Sequence, residues 1–177
     1  SRGYSSALPI AEVVMGSVYM FAKNLHLAAR NSKNNLFDFR DYRMTLVTGK
    51  TIGIIGLGGI GQQVARLAKG AGMRVLATRY SIKKRQFDVD GADEVFPAKD
   101  MNTMLQECDY VAVCAIWTNE TEHLMSIEAF QNMKPSAFLI NIARGEIVDE
   151  VALLSALETG EIAGAYLDVW EDEFNRI

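Results

Sequence analysis

Two cysteines, three prolines and no long apolar run are the first features of this chain of 177 residues. Cys108 and Cys114 do not have the spacing of metal-binding cysteines, and both lie near an apolar stretch. Free thiols in such surroundings are typical of the core of a protein from a reducing compartment. We therefore expect reduced core cysteines, no metal site and a cytoplasmic protein.

The chain also lacks a membrane span and a surplus of positive charge. Its longest mainly apolar run, residues 13–22, is too short for a bilayer, which takes about 20 apolar residues. The formal net charge of −4 offers no basic face to nucleic acid. The length accommodates one sizeable core but not two ordinary domains. We predict a single globular domain over residues 1–177, with neither nucleic acid nor a membrane as its partner.

What the chain does contain is a Gly-x-Gly-x-x-Gly motif between an apolar run and a helical pattern. Strand, glycine turn and helix in this order predict a site for the pyrophosphate of a dinucleotide. The motif glycines permit the sharp turn, the approach of the ligand and close helix packing, and unpaired N–H groups at the helix start favour an anion. The alternative is a purely structural turn. The predicted ligand contacts here are Gly56, Gly58, Gly59, Ile60 and Gly61.

Strand and helix patterns alternate along the rest of the chain. Near-continuous apolar strands separated by helices predict a parallel sheet covered on both faces, in a Rossmann-type doubly wound α/β fold with three layers. The predicted strands are 51–55, 74–78, a short one near 94–96, 110–114, 137–142 and 163–169. The predicted helices are 59–69, 101–107, 126–133 and 149–158, with Ser126 and Asp149 as N-caps.

The first helix is predicted over residues 9–30, with Pro9 at its start and an irregular segment after it at 31–48. It is apolar almost all the way round, whereas a helix that is buried on one side only has a polar stripe. We infer that one face meets its own sheet and another meets a second subunit. The alternative is a central helix of a larger single-chain core.

The second predicted strand ends without the carboxylate that accepts hydrogen bonds from the ribose of NAD. Arg79 occupies that place, and Ser81 and a basic stretch follow it. An arginine there suits the 2′-phosphate of NADP, through charge-assisted hydrogen bonds. The sequence therefore favours NADP over NAD; the alternative is a solvated basic loop beside an NAD site.

The second half of the chain contains the runs Asn141-Ile142-Ala143-Arg144-Gly145 and Leu167-Asp168-Val169. With the glycine motif, these runs resemble the D-isomer-specific 2-hydroxyacid dehydrogenase family, and the resemblance covers nearly the whole chain. It implies hydride transfer between a nicotinamide cofactor and a small 2-keto or D-2-hydroxy acid. It also implies an enzyme of two domains, of which this chain is the cofactor domain without its substrate domain, and a homodimer formed through the cofactor domain.

The resemblance also assigns residues. Arg144 matches the arginine that binds the substrate carboxylate, and Glu173 falls at the catalytic glutamate, although Glu171 and Asp172 are its neighbours and the alternative is a solvated acidic tail. Asp168 matches an aspartate near the nicotinamide carboxamide. Other expected cofactor contacts are Cys114, Ala115, Ile116, Thr121 and Ala143.

The chain departs from the family pattern at several positions. Ile116-Trp117 replaces a common Pro-Leu, and Gly59 replaces a frequent arginine. The family's catalytic histidine is expected beyond residue 177, because His26 and His123 do not match it. The fragment is therefore expected to bind dinucleotide but to have little or no activity alone.

Two other functions remain open at this stage. One is a non-enzymatic NAD(H)-sensing co-repressor with the same fold, in which dinucleotide promotes dimerisation. The other is a different enzyme with a glycine-rich turn, such as a methyltransferase, against which the Ala143-Arg144-Gly145 run argues.

Overall fold

The structure, a computed structural model, describes residues 4–34 and 43–171. Seven strands form one sheet in the order β3-β4-β2-β1-β5-β6-β7. All neighbouring strands are parallel except the β3–β4 pair. The strands are β1 Thr51–Ile55, β2 Arg74–Arg79, β3 Gln86–Val89, β4 Ala92–Pro97, β5 Tyr110–Val113, β6 Phe138–Asn141 and β7 Gly164–Leu167. The helices are α1 Tyr4–Ala22, α2 Leu25–Lys33, α3 Gly59–Gly70, α4 Met101–Leu105, α5 Ile127–Gln131 and α6 Glu150–Thr159.

Each face of the sheet carries its own apolar core. Alternate residues of β1 point to opposite faces, with Ile52 and Ile54 on the side of α1 and α3. Ile55 lies on the other side, with the buried residues of α4, α5 and α6. This confirms the predicted three-layer, doubly wound fold, and it follows from the period of two in a strand whose faces are both covered.

The direction of winding reverses at β1. The chain passes from β1 to β2 on one side and later returns to β5 on the other side. Ligands of open α/β sheets bind at the carboxyl ends of the strands at such a reversal. The fold therefore places the candidate site where the loops after β1 and β5 meet.

The predicted first helix over residues 9–30 is wrong in its bounds. It begins upstream, so Pro9 lies inside α1, and it stops at Ala22. Asn24 adopts a left-handed backbone with φ 52°, which asparagine tolerates, and its side-chain amide donates to the carbonyl oxygen of Arg43 at 3.0 Å. The chain then continues as α2, which includes part of the segment predicted to be irregular.

The antiparallel strand β3 was not predicted, because it has only four residues, of which the first three are exposed, and it contains no continuous apolar run. The N-cap predictions are confirmed: the Ser126 and Asp149 side chains accept hydrogen bonds from backbone N–H groups in the first turns of α5 and α6. In the part of the chain that the structure describes, no helix combines the length and the apolar character needed to cross a bilayer.

Candidate functional site

The glycine turn joins β1 to α3 at the carboxyl edge of the sheet. Gly56 has φ +96°, and a Cβ there would lie 2.8 Å from the Cα of Ala115 in the loop after β5. A Cβ at Gly61 would overlap the carbonyl oxygen of Gly56. These two glycines therefore bring the loops after β1 and β5 into contact and seat α3 on the turn.

Gly58 differs from these two glycines because neither its backbone conformation nor its packing requires a glycine at this position. Its backbone is extended, with φ −89°, and a Cβ there would meet no atom within 4 Å. Among the described residues, no group accepts a hydrogen bond from the N–H of Gly58, Gly59, Ile60 or Gly61. Open space beside unpaired amides at the start of a helix fits a pyrophosphate, which would accept these hydrogen bonds and gain from the helix dipole.

Thr78, at the end of β2, fixes the position of the turn. Its hydroxyl accepts a hydrogen bond from the N–H of Gly56 at 3.3 Å, and its carbonyl oxygen accepts one from the N–H of Leu57 at 3.1 Å. Sequence reasoning missed this residue, although a hydroxyl at the end of an apolar strand was the available signal. The first two amides of the turn are thus bound to β2, and the later ones face the crevice.

Arg79 follows Thr78 and contacts the same turn. Its guanidinium donates to the carbonyl oxygen of Leu57 at 3.1 Å and forms an ion pair with the Asp90 carboxylate. Asp90 lies in the turn between β3 and β4, and no local pattern in the chain predicts that it contacts Arg79.

A cavity of about 320 Å³ opens beside Arg79, at the carboxyl ends of β2 and β4. Two lysines contribute positive charge to it, and Ser81 lies exposed in the same loop. Its lining residues are Tyr80, Ile82, Lys83, Pro97, Ala98 and Lys99.

The opposite wall of the crevice is the loop after β5. The N–H of Cys114 donates to the carbonyl oxygen of Ile55 at 2.8 Å, so β5 stays attached to β1 up to the turn. Ile116 is 82% exposed, and its carbonyl oxygen accepts a hydrogen bond from the Thr121 hydroxyl at 2.8 Å. Thr121 therefore holds the loop closed, whereas Ile116 presents an apolar side chain to solvent.

Both cysteines are poor nucleophiles. Burial raises the pKa of Cys108 and of Cys114 to about 12, because a thiolate loses its hydration in an apolar environment. Both thiols are free. Among the described residues, no three His, Cys, Asp or Glu side chains converge to hold a metal ion.

Arg144 lies in a loop at the end of β6 that Asn141 organises. The fully buried Asn141 amide donates to the carbonyl oxygen of Arg144 at 2.9 Å and accepts from the N–H of Ala143 at 3.1 Å. Within the described residues, the only acceptor of the exposed Arg144 guanidinium is the Ala143 carbonyl oxygen, at 2.7 Å. The positive charge is therefore available to a carboxylate ligand. An amide at the end of a buried strand was the signal for Asn141.

Asp168 lies at the end of β7, next to this loop. Its N–H donates to the carbonyl oxygen of Asn141 at 2.9 Å, and its carboxylate accepts from the Tyr166 hydroxyl at 3.2 Å. The predicted catalytic Glu173 lies outside the described residues. His123 is exposed, 3.3 Å from the carboxylate of Glu171, and the geometry gives it no role at the glycine turn.

Known proteins with similar sequences are dehydrogenases and reductases. The family model described as D-isomer specific 2-hydroxyacid dehydrogenase, NAD binding domain, matches residues 15–176. A D-3-phosphoglycerate dehydrogenase of Methanocaldococcus jannaschii is 35% identical over 169 residues, which are 96% of this chain and 32% of that protein. A glyoxylate reductase of Thermococcus gammatolerans is 49% identical over 129 residues, which are 72% of this chain and 37% of that protein.

Solved structures with this fold include complexes with both nicotinamide cofactors. An NAD-complexed D-isomer specific 2-hydroxyacid dehydrogenase of Lactobacillus delbrueckii has a TM-score of 0.81 and 29% identity, covering 94% of this chain and 49% of that one. An acyclic imino acid reductase in complex with NADPH and D-Arg has a TM-score of 0.84 and 28% identity, covering 97% of this chain and 53% of that one. The chain thus spans about a third of these curated relatives and about half of these solved chains.

Proposed function

Because this chain belongs to the D-isomer specific 2-hydroxyacid dehydrogenase family, we propose that it is the cofactor domain of an enzyme that transfers hydride between NAD(P)H and a small 2-keto acid. The observation that carries the proposal is the open space at Gly58 beside the unpaired amides of the turn. No described atom fills this space, and the unpaired N–H groups beside it are the donors that a pyrophosphate accepts from.

The reduced nicotinamide supplies the hydride when it is bound. For the substrate, we assign Arg144 to the carboxylate, because the guanidinium carries no acidic partner among the described residues and has the fork geometry that carboxylates match. Asn141 acts as a positioning residue, since its two hydrogen bonds set the loop from which Arg144 extends. We assign Asp168 and Glu173 the roles that the resemblance implies. Asp168 lies near the nicotinamide carboxamide. Glu173 pairs with a histidine that acts as the general acid and is supplied by the rest of the enzyme.

For the cofactor, we propose a preference for NADP. The support is the position of Arg79 at the end of β2, next to the cavity that Lys83 and Lys99 line. A 2′-phosphate at this place gains from three positive side chains, whereas the ribose hydroxyl of NAD does not.

We also propose a homodimer formed through α1. Its inner side packs against the sheet, but Leu8, Val13 and Tyr19 on its outer side are 37%, 38% and 42% exposed. Of these three, Tyr19 lines a groove of about 480 Å³ between α1 and α3, in which Met15 and Leu67 contribute apolar surface. Two free thiols, the buried Cys108 and the half-buried Cys114, suit a reducing compartment, so we extend the proposal to the cytoplasm.

Titration of the purified chain with NADH and NADPH, followed by nicotinamide fluorescence, tests the proposal. We expect saturable binding of both cofactors, tighter for NADPH, and no reduction of glyoxylate or pyruvate by the chain alone. Absence of binding for both cofactors would contradict the proposed function.

A further inference from the structure

The ion pair between Arg79 and Asp90 occupies the position where a cofactor phosphate is expected. Asp90 and Gly91 are the two central residues of the β3–β4 turn, with φ 52° and 85°, and Val89 pairs with Ala92 across it. Positive φ at both positions is typical of a tight hairpin turn with the Asp-Gly sequence. The position of Asp90 is therefore set by the backbone and not by a flexible loop.

The hairpin also packs against the helix that follows the glycine turn. A Cβ at Gly91 would lie 3.5 Å from the Cβ of Ala65 in α3. From this support Asp90 reaches the guanidinium of Arg79, which also donates to the carbonyl oxygen of Leu57. Arg79 is thus held between the hairpin and the glycine turn, with 24% of its side chain exposed against 40% for Asp90.

This arrangement has opposite consequences for the two cofactors. A 2′-phosphate must compete with the Asp90 carboxylate for Arg79, and its own negative charge is repelled by that carboxylate. The ribose of NAD presents a hydroxyl instead, which can donate a hydrogen bond to a carboxylate. Asp90 therefore opposes the selectivity that Arg79 alone would give.

We propose that Asp90 is a specificity-determining residue that limits the preference for NADP by pairing with Arg79. The inference rests on the proposed function, because it concerns the same cofactor site. It predicts that the chain binds both cofactors, and that their affinities differ less than they would if the arginine at the end of β2 had no acidic partner.

The test is the ratio of the NADH to the NADPH dissociation constants in the chain and in the Asp90→Asn variant. Asparagine keeps the left-handed backbone and removes the charge. Because a partly exposed ion pair is weak, we expect the ratio to shift toward NADPH by about three- to tenfold. The matched control is Asp88→Asn, which removes the same charge from the same hairpin at φ 54°. We expect a shift of less than about twofold from this control, because Arg79 pairs with Asp90 and not with Asp88.

The same comparison in an Arg79→Ala background separates the effect of the Arg79–Asp90 ion pair from the direct effect of the Asp90 charge on the cofactor. Arg79→Ala alone should weaken the binding of NADPH by about ten- to hundredfold and should change the binding of NADH little. In that background, Asp90→Asn should shift the ratio less than it does when Arg79 is present, because the competition for Arg79 is gone and only the direct effect of the Asp90 charge remains. An equal shift from Asp90→Asn with and without Arg79, or no shift in the ratio, would overturn this inference while leaving the proposed function intact. Failure of the unsubstituted chain to bind either cofactor would overturn both.

Discussion

Gly61 and Gly59 lie in the first turn of α3, but they have different reasons to be glycine. A side chain at Gly61 meets the backbone of Gly56, whereas one at Gly59 meets nothing within 4 Å. Backbone cannot move aside as the end of a flexible side chain can. Gly61 is therefore a requirement of packing, and Gly59 is open to substitution on structural grounds.

We predict that Gly61→Ala lowers the free energy of unfolding by about 1–3 kcal/mol, because it overpacks the junction of the turn and the helix. Gly59→Ala, the matched control, should leave stability unchanged or raise it by up to about 1 kcal/mol, through better helix propensity. Urea unfolding followed by circular dichroism measures both. Equal stability of the two variants would contradict the packing described for the turn.

Single site residues were predictable where a sequence motif identifies them. They were not predictable where their role depends on a hydrogen bond to a distant segment of the chain. The glycines came from their spacing, and Arg144 came from the resemblance. Thr78 and Asn141 act through bonds to backbone groups of other segments, which no local pattern reveals. Asp90 lies eleven residues after Arg79, in an exposed polar stretch, and only the hairpin brings the two together.

At the scale of elements, the parallel strands were the most predictable. Residues 51–55 were predicted as a strand, and β1 is Thr51–Ile55, because a strand that is buried on both faces is continuously apolar. Helix ends were also accurate where a side chain caps them, as Asp149 caps α6. The edge strand β3 has no such apolar signal, since its first three residues are exposed.

The break between α1 and α2 shows the limit of hydrophobic patterning. Apolar residues continue across it, so periodicity predicts one helix. The left-handed Asn24 and its bond to Arg43 end α1, and that bond involves a residue nineteen positions away. Long-range contacts of this kind override local propensity.

For the whole molecule, the proposed dimer predicts that a charge on the outer side of α1 prevents association. Val13→Glu should produce a monomer, because burying an unpaired carboxylate at an apolar interface costs several kcal/mol. The matched control is Val151→Glu on α6, where the valine is 78% exposed on the other face of the sheet. Sedimentation equilibrium of both variants measures the effect. An unsubstituted chain that is monomeric at high concentration would contradict the dimer.

The central claim is that the space at Gly58 binds the pyrophosphate of a nicotinamide dinucleotide. Gly58→Val fills this space without disturbing a described contact, and Gly70→Ala, roughly 18 Å away at the other end of α3, is the matched control. The decisive measurement is NADPH affinity by fluorescence titration, with thermal unfolding to confirm that both variants are folded. We predict that Gly58→Val weakens binding by about tenfold or more and that Gly70→Ala leaves it unchanged. A folded Gly58→Val variant that binds NADPH as tightly as the unsubstituted chain would contradict the claim.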